Sequence, residues 1–96
     1  MTYRLSMAAE KDVIDIFIDG AMLFGPEQAE FYHDGLEATF KMLAEYPHSG
    51  KEYRSIKPPV RVFTFQSHLI VYTASKKDIY ILRILHGRQD WVKHLN

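Results

Sequence analysis

Two long amphipathic stretches fill the first half of the chain, and three short apolar runs fill most of the second. Over residues 8 to about 24, Val13, Ile16, Phe17, Gly20 and Phe24 fall on one stripe at helical spacing. Asp12, Asp15 and Asp19 lie largely on the other side of that helix. Residues 3–5 before it read as a short extended segment, and Ser6 or its neighbours are placed to cap the helix. Gly25-Pro26 breaks the pattern, and Pro26 suits the first turn of the next helix. That second helix runs to about Tyr46, with Ala29, Tyr32, Leu36, Phe40 and Leu43 inward and Glu30, Asp34, Glu37, Lys41 and Glu45 outward. Pro47 and Ser49-Gly50 end it. Two helices with so short a break between them predict an antiparallel hairpin.

After Pro47 the period changes. Residues 48–59 read as an irregular connector closed by Pro58-Pro59, which cannot sit inside a sheet. Val60–Phe65, His68–Ala74 and residues 79–85 then predict an antiparallel meander, broken at Gln66-Ser67 and at Lys76-Lys77-Asp78. Residues 88–95 are too short to be stable alone and are expected to dock through Trp91 and Leu95, with Trp91 as the anchor of the tail. The expected class is α+β in the order β-α-α-β-β-β: a helical hairpin packed on a twisted antiparallel sheet, with a short C-terminal cap.

These strands are apolar on both sides. Ile70 and Tyr72 point one way and Leu69 and Val71 the other, while Ile79 and Ile81 oppose Tyr80, Leu82 and Ile84. One hairpin covers one face, and an exposed face of an antiparallel sheet normally alternates apolar with polar. The second face is therefore expected to meet a partner, with Leu69, Val71, Tyr72, Ile79 and Ile81 as the contact residues. Ile14, Ile18, Phe31 and Met42, off their helices' main stripes, repeat the hint.

At 96 residues and 11.2 kDa the chain predicts a single domain over 1–96, too small for a large substrate cleft between domains. Cysteine is absent, which excludes disulfides and thiolate chemistry. The formal charge of zero hides an asymmetry: residues 1–50 hold three basic groups against nine acidic ones, and residues 51–96 hold nine against three. Segregated in space, the halves form a dipole whose positive side attracts a polyanion or an acidic protein. Packed against each other, they neutralise. No apolar run reaches about 20 residues and no signal segment is visible, so no membrane partner and a cytoplasmic location are expected.

Candidate chemistry is sparse. The five histidines, His33, His48, His68, His86 and His94, show no compact ligand spacing, and the sequence has no phosphate-cradling glycine loop. No metal, cofactor or catalytic residue is therefore expected. Arg61, Arg83, Arg88, His68, His86 and Tyr72 do supply the residue types for metal-free RNA cleavage, which needs a base, an acid and cations for the phosphate. The alternative makes Arg83 and His86 hydrogen-bonded strand residues and Tyr72 a core aromatic.

His86-Gly87-Arg88-Gln89-Asp90-Trp91 is the densest local signal, and with the preceding Ile84-Leu85 it is close to the HGRRDW-like closing run of the ParE branch of the RelE/ParE toxins. The rest of the chain resembles that family in order: Tyr3-Arg4-Leu5-Ser6 with Ala8, Ala9, Asp12, Ile16 and Ile18, then Phe24-Gly25-Pro26-Glu27-Gln28-Ala29 with Tyr32, Leu36 and Phe40. Leu43-Ala44-Glu45-Tyr46-Pro47 with Gly50 and Arg54, followed by Val62-Phe63, Ser67-His68 and Ile70–Tyr72 positions, complete the likeness. The resemblance implies a toxin of a type II toxin–antitoxin system, in a hetero-oligomer with a cognate antitoxin that wraps it. It further implies DNA gyrase or the gyrase–DNA complex as target, with Arg61, Arg83 and Arg88 as expected target contacts. RelE-like relatives instead cleave mRNA on the ribosome. That branch relies on basic residues across the sheet and a terminal catalytic group, often tyrosine or histidine. The tail here has Trp91 and His94 but no tyrosine, and lysines are sparse near the sheet centre, which favours the gyrase branch. Arg61, Arg83 and His86 keep the ribonuclease branch open. A partner-binding protein of the same fold without activity is the third reading.

Overall fold

In the computed structural model, which describes residues 2–87 and 90–95 without the side chains of 94 and 95, Thr2–Leu5 forms β1 and runs parallel to β5 (Asp78–His86). Ser6 makes the turn out of β1. Its amide donates to the Ile81 carbonyl at 2.9 Å, and its hydroxyl donates to the Leu82 carbonyl at 2.7 Å while accepting from the Ala9 amide at 2.9 Å. One residue thus caps α1 (Met7–Phe24) and fastens its start to β5. Gly25 alone links α1 to α2 (Pro26–Glu45), at φ +93°, a value that a side chain would strain. The helices then approach at small residues, and a Cβ on Gly20 would stand 3.7 Å from that of Ala29.

The strands β2 (Lys51–Tyr53), β3 (Val60–Phe65) and β4 (His68–Ala74) complete a five-stranded sheet in the order β1-β5-β4-β3-β2. The expected class holds, with two refinements. β1 joins β5 in parallel, so the sheet is mixed, and the supposed connector contains β2, whose Glu52 lies opposite Arg61 and whose Tyr53 lies opposite Val60. Pro58 and Pro59 sit between β2 and β3, outside the ladder.

A bulge in β5 corrects the reading of its faces. Val71 faces Arg83 but Tyr72 faces Ile81, which leaves Leu82 as the additional residue. Alternation resets there, so Ile84 joins Ile79 and Ile81 in the helix-side core with Ile70, Tyr72 and Phe40 rather than opposing them. The other face has its own cover. Val60, Val71 and Leu85 pack beneath Ile56 of the connector and Trp91 of a 3₁₀ turn (Trp91–Leu95), and the Trp91 ring meets Tyr53 edge-on at 5.0 Å. Val71, Tyr72, Ile79 and Ile81 are consequently 0% exposed and Leu69 is half-buried. The face expected to await a partner is closed by the chain itself, because two helices, twelve connector residues and the tail together cover more than the hairpin alone. Leu95, also expected to dock, has its side chain outside the described part.

Two polar latches hold the layers in place. The Tyr72 hydroxyl, in the core, accepts from the Gly50 amide at 2.9 Å and donates to the Pro47 carbonyl at 2.8 Å, fixing where the chain leaves α2. Burial pushes this phenol's pKa up, so it stays neutral and able to donate. Asp12 secures the other end: its carboxylate accepts from Arg83 Nε at 2.7 Å, Arg83 Nη2 at 3.0 Å and the Ile84 amide at 2.9 Å. Because β1 pairs with β5 only as far as Ile81, the Ile84 amide has no strand neighbour on that edge, and α1 supplies the acceptor.

Removing Asp12 takes three hydrogen bonds from a cation and an amide at a site where the carboxylate is 12% exposed and the guanidinium 25%. Asp12→Ala is expected to cost about 3 kcal/mol of unfolding free energy, and Asp12→Ala with Arg83→Ala less than the sum of the single changes. Denaturant unfolding of the three variants checks this. Gly50→Ala places a Cβ 2.6 Å from the Tyr72 hydroxyl oxygen. A loss of about 2–4 kcal/mol, from overpacking and a broken hydrogen bond, is expected in the same assay.

A candidate functional site at the tip of the helical hairpin

The last turn of α1 overhangs the sheet. Its sequence is continuously apolar from Ala21 to Phe24, but beyond Gly20 it has little beneath it, so Phe24, expected in the core, is 72% exposed. Met22 and Leu23 are exposed as well, and Phe31 on the first turns of α2 is 75% exposed. Four large apolar side chains clustered around one turn are more than scattered surface hydrophobics explain.

Beneath this overhang lies a cavity of about 860 Å³, bounded by the hairpin tip, by the turn between β3 and β4, and by the end of β5. Leu23, Phe24 and Phe31 form its apolar lip, and Tyr32, His68 and His86 line its inner wall. Each wall has a local reason. Gln66 takes φ +52° in the tight β3–β4 turn, and the Gly87 amide donates to the Ser67 carbonyl at 2.8 Å, tying the end of β5 to that turn. Gly35 leaves room for Phe65, whose ring atom would stand 2.9 Å from a Cβ there, and Phe65 in turn meets Tyr32 at 5.2 Å.

The polar part of the wall is a short relay. Tyr32 Oη and His68 Nδ1 are 2.6 Å apart. His68 and His86 are register partners on β4 and β5, with rings 5.6 Å apart and nearly perpendicular. The His68 pKa is held below the ordinary histidine value, first by burial and then by the neighbouring His86, with Asp12 acting weakly the other way. Asp19 is the acidic residue on the same cavity wall.

The arginines expected at a target lie elsewhere and are engaged. Arg61 donates to the Gly50 carbonyl at 2.8 Å and sits 3.9 Å from Glu52, while Arg83 holds Asp12. Arg88 lies outside the described residues. Among the described residues of the nuclease constellation, Tyr72 is in the core, Arg61 is held at the far end of the sheet, and His68 meets His86. Among the described residues, His33, Asp34 and Glu37 bring ligand-type atoms within 4.8 Å of one another, a nearness that i, i+1, i+4 spacing on an exposed helix already produces. No described helix is long and apolar enough to cross a membrane.

Sequence reasoning missed the cavity and the inward role of Asp12. Exposed Phe31 signalled the first, and the position of Asp12, three residues after Ala9 and four before Ile16, signalled the second.

Comparison with known proteins agrees with this architecture. Residues 3–91 match the family model for the ParE toxin of the type II toxin–antitoxin system parDE. The chain is 33% identical over 93 residues to Toxin ParE1 of Caulobacter vibrioides, covering 97% of this chain and 96% of that one. It is 30% identical over 94 residues to Toxin ParE1 of Mycobacterium tuberculosis, again covering 97% and 96%. Among solved structures, a chromosomal ParDE TA system from P. aeruginosa superposes with a TM-score of 0.76 at 26% identity, covering 90% of this chain and 95% of the other. With a matching fold, a family model spanning nearly the whole chain and relatives of the same length, this chain belongs to the ParE toxin family of type II toxin–antitoxin systems.

Proposed function

We propose that this chain is a gyrase-directed toxin whose cognate antitoxin neutralises it by filling the cavity at the hairpin tip with an apolar segment. The observation that carries the antitoxin contact is the lip of Leu23, Phe24 and Phe31, exposed beside a cavity large enough for several side chains. An acidic hairpin surrounds it, with Asp15, Asp19, Glu27 and Glu30 all exposed, so an occupant with basic flanks is favoured. This site replaces the sheet face as the proposed antitoxin contact, with Leu69 the one residue of the earlier set that retains some exposure.

The same cavity is a poor place to cleave RNA. A scissile phosphate needs cations, whereas among the described residues the wall presents Asp19, apolar side chains and two imidazoles, and Arg83 is bound to Asp12. We infer that the toxin acts by binding, in complex with gyrase or gyrase–DNA. Exposed Lys51, Lys57, Lys76 and Lys77, at the sheet end away from the cavity, supply the cationic surface for that contact in this reading, together with Arg88. Arg61 and Arg83 support it as positioning residues.

Purified toxin assayed in parallel on gyrase and on translating ribosomes tests the target. Loss of supercoiling with accumulation of cleaved DNA, and intact mRNA, is the expected result; mRNA cleavage with untouched gyrase overturns it. His68→Gln is expected to retain growth inhibition within a few-fold, where a loss of ~100-fold or more in a folded protein marks acid–base chemistry. For the antitoxin contact, Leu23→Ser and Phe31→Ser are each expected to weaken antitoxin binding by about tenfold or more without lowering the unfolding midpoint, since both side chains are exposed.

A further inference from the structure

Three carboxylates step along α1, and the last has no cation among the described residues. Asp12 is held by Arg83 at 2.7 Å, and Asp15 by Lys11 at 2.9 Å. Asp19 makes no hydrogen bond or ion pair among the described residues, and it is the one that lines the cavity. We propose that the antitoxin segment entering this cavity carries an arginine among its apolar side chains, and that the guanidinium seats on Asp19. The inference rests on the cavity being the antitoxin site, and it names the anchor that fills it.

The sequence explains why Asp19 stays without a partner. Its neighbours one helical turn away are Asp15, Ile16, Met22 and Leu23, so α1 offers it no cation. Across the cavity, α2 presents Gln28 and Tyr32, and the described lining residues include no lysine or arginine. The two imidazoles on the wall make no ion pair with Asp19, and that of His68 is held below the ordinary histidine pKa, chiefly by burial.

A wholly apolar segment closing over this wall would strip water from a carboxylate and give it nothing in return. A guanidinium supplies two parallel hydrogen bonds, and its flat face stacks on aromatic rings such as Phe24 and Phe31 at the lip. Lysine offers a strongly hydrated point charge without that fork, so a carboxylate among aromatic side chains favours arginine. Exposed Glu27 and Glu30 on the same hairpin steer a basic residue toward the opening. At about 860 Å³, the cavity has room for the arginine and for apolar neighbours beside it.

The probe is the full-length cognate antitoxin, co-expressed from the native operon, separated from the toxin and bound again to toxin variants. Asp19→Asn keeps the shape and removes the charge. Its unfolding midpoint is expected to be unchanged, because Asp19 is exposed, and its Kd for the antitoxin to rise about tenfold or more. Glu27→Gln removes another exposed charge, outside the cavity, and is expected to raise the Kd by less than about threefold. Each arginine of the antitoxin is then replaced by glutamine in turn. One of these variants is expected to lose about as much affinity as Asp19→Asn does, and the two changes together about as much as either alone. The cycle compares one toxin variant against two antitoxins, so any effect of Asp19→Asn on the toxin's own fold cancels. Unchanged affinity in Asp19→Asn, an equal loss in Glu27→Gln, or additive losses for every arginine overturn the proposal. The underlying site fails separately: unaltered antitoxin affinity in Leu23→Ser and Phe31→Ser removes the cavity reading, whereas weakened binding in those variants with unaltered affinity in Asp19→Asn removes only the arginine anchor.

Discussion

The position of the helical hairpin over the sheet depends on one carboxylate. Asp12 reaches from α1 to a stretch of β5 that has lost its strand neighbour, and satisfies both the Ile84 amide and the Arg83 guanidinium there. Hydrophobic contact between a helix and a sheet is not directional, so Ile16, Val13 and Ala9 alone would let α1 slide along the strands. Three charge-assisted hydrogen bonds to a bulged strand allow one register. The Ser6 bonds to Ile81 and Leu82 fix the start of the same helix, and Asp12 lies nearly two turns on, so α1 is pinned at two points. Its free end, past Gly20, projects beyond the sheet and creates the cavity.

Most of the fold was legible because its periodicities are clean. The helices end at Gly25-Pro26 and Pro47 by simple backbone chemistry, and the bounds of β3 and β4 follow from β-branched runs between turn residues. What was not legible came from interactions between segments distant in sequence. β2 is too short and too polar to announce itself, and exists because β3 is beside it and Trp91 packs on Tyr53. The bulge at Leu82 cannot be seen in an alternation count, since Ile79, Ile81, Leu82, Ile84 and Leu85 are apolar under either phase. It decides which face Ile84 joins, and its neglect made the sheet look barer than it is.

The candidate site was harder to read for a related reason. Of the apolar residues off a main stripe, Ile14, Ile18 and Phe31 are exposed, whereas Met42 packs against the core. Phe24, however, sits on the inward stripe of a helix that outruns its support, and no helical wheel reports where the sheet stops. Arginines were the opposite case. Arg61 and Arg83 read as available cations in sequence, yet long side chains on strands find acceptors on the connector and on α1. Asp12 carried the better clue: a carboxylate at an inward helical position needs a partner, and that partner had to be basic.

The sheet's two borders have a consequence for the protein before it meets any partner. β1 offers four residues with Arg4 exposed, and β2 offers three, Lys51 to Tyr53, followed by exposed Arg54 and the Pro58-Pro59 stop. Short, charged borders of this kind resist the strand-by-strand growth that leads to fibres. Among the described residues, the most exposed large apolar side chains, Met7, Met22, Leu23, Phe24 and Phe31, lie on helices, which have no free backbone edge to act as a template. A chain with this much exposed apolar surface is in this way kept from adding to itself without limit.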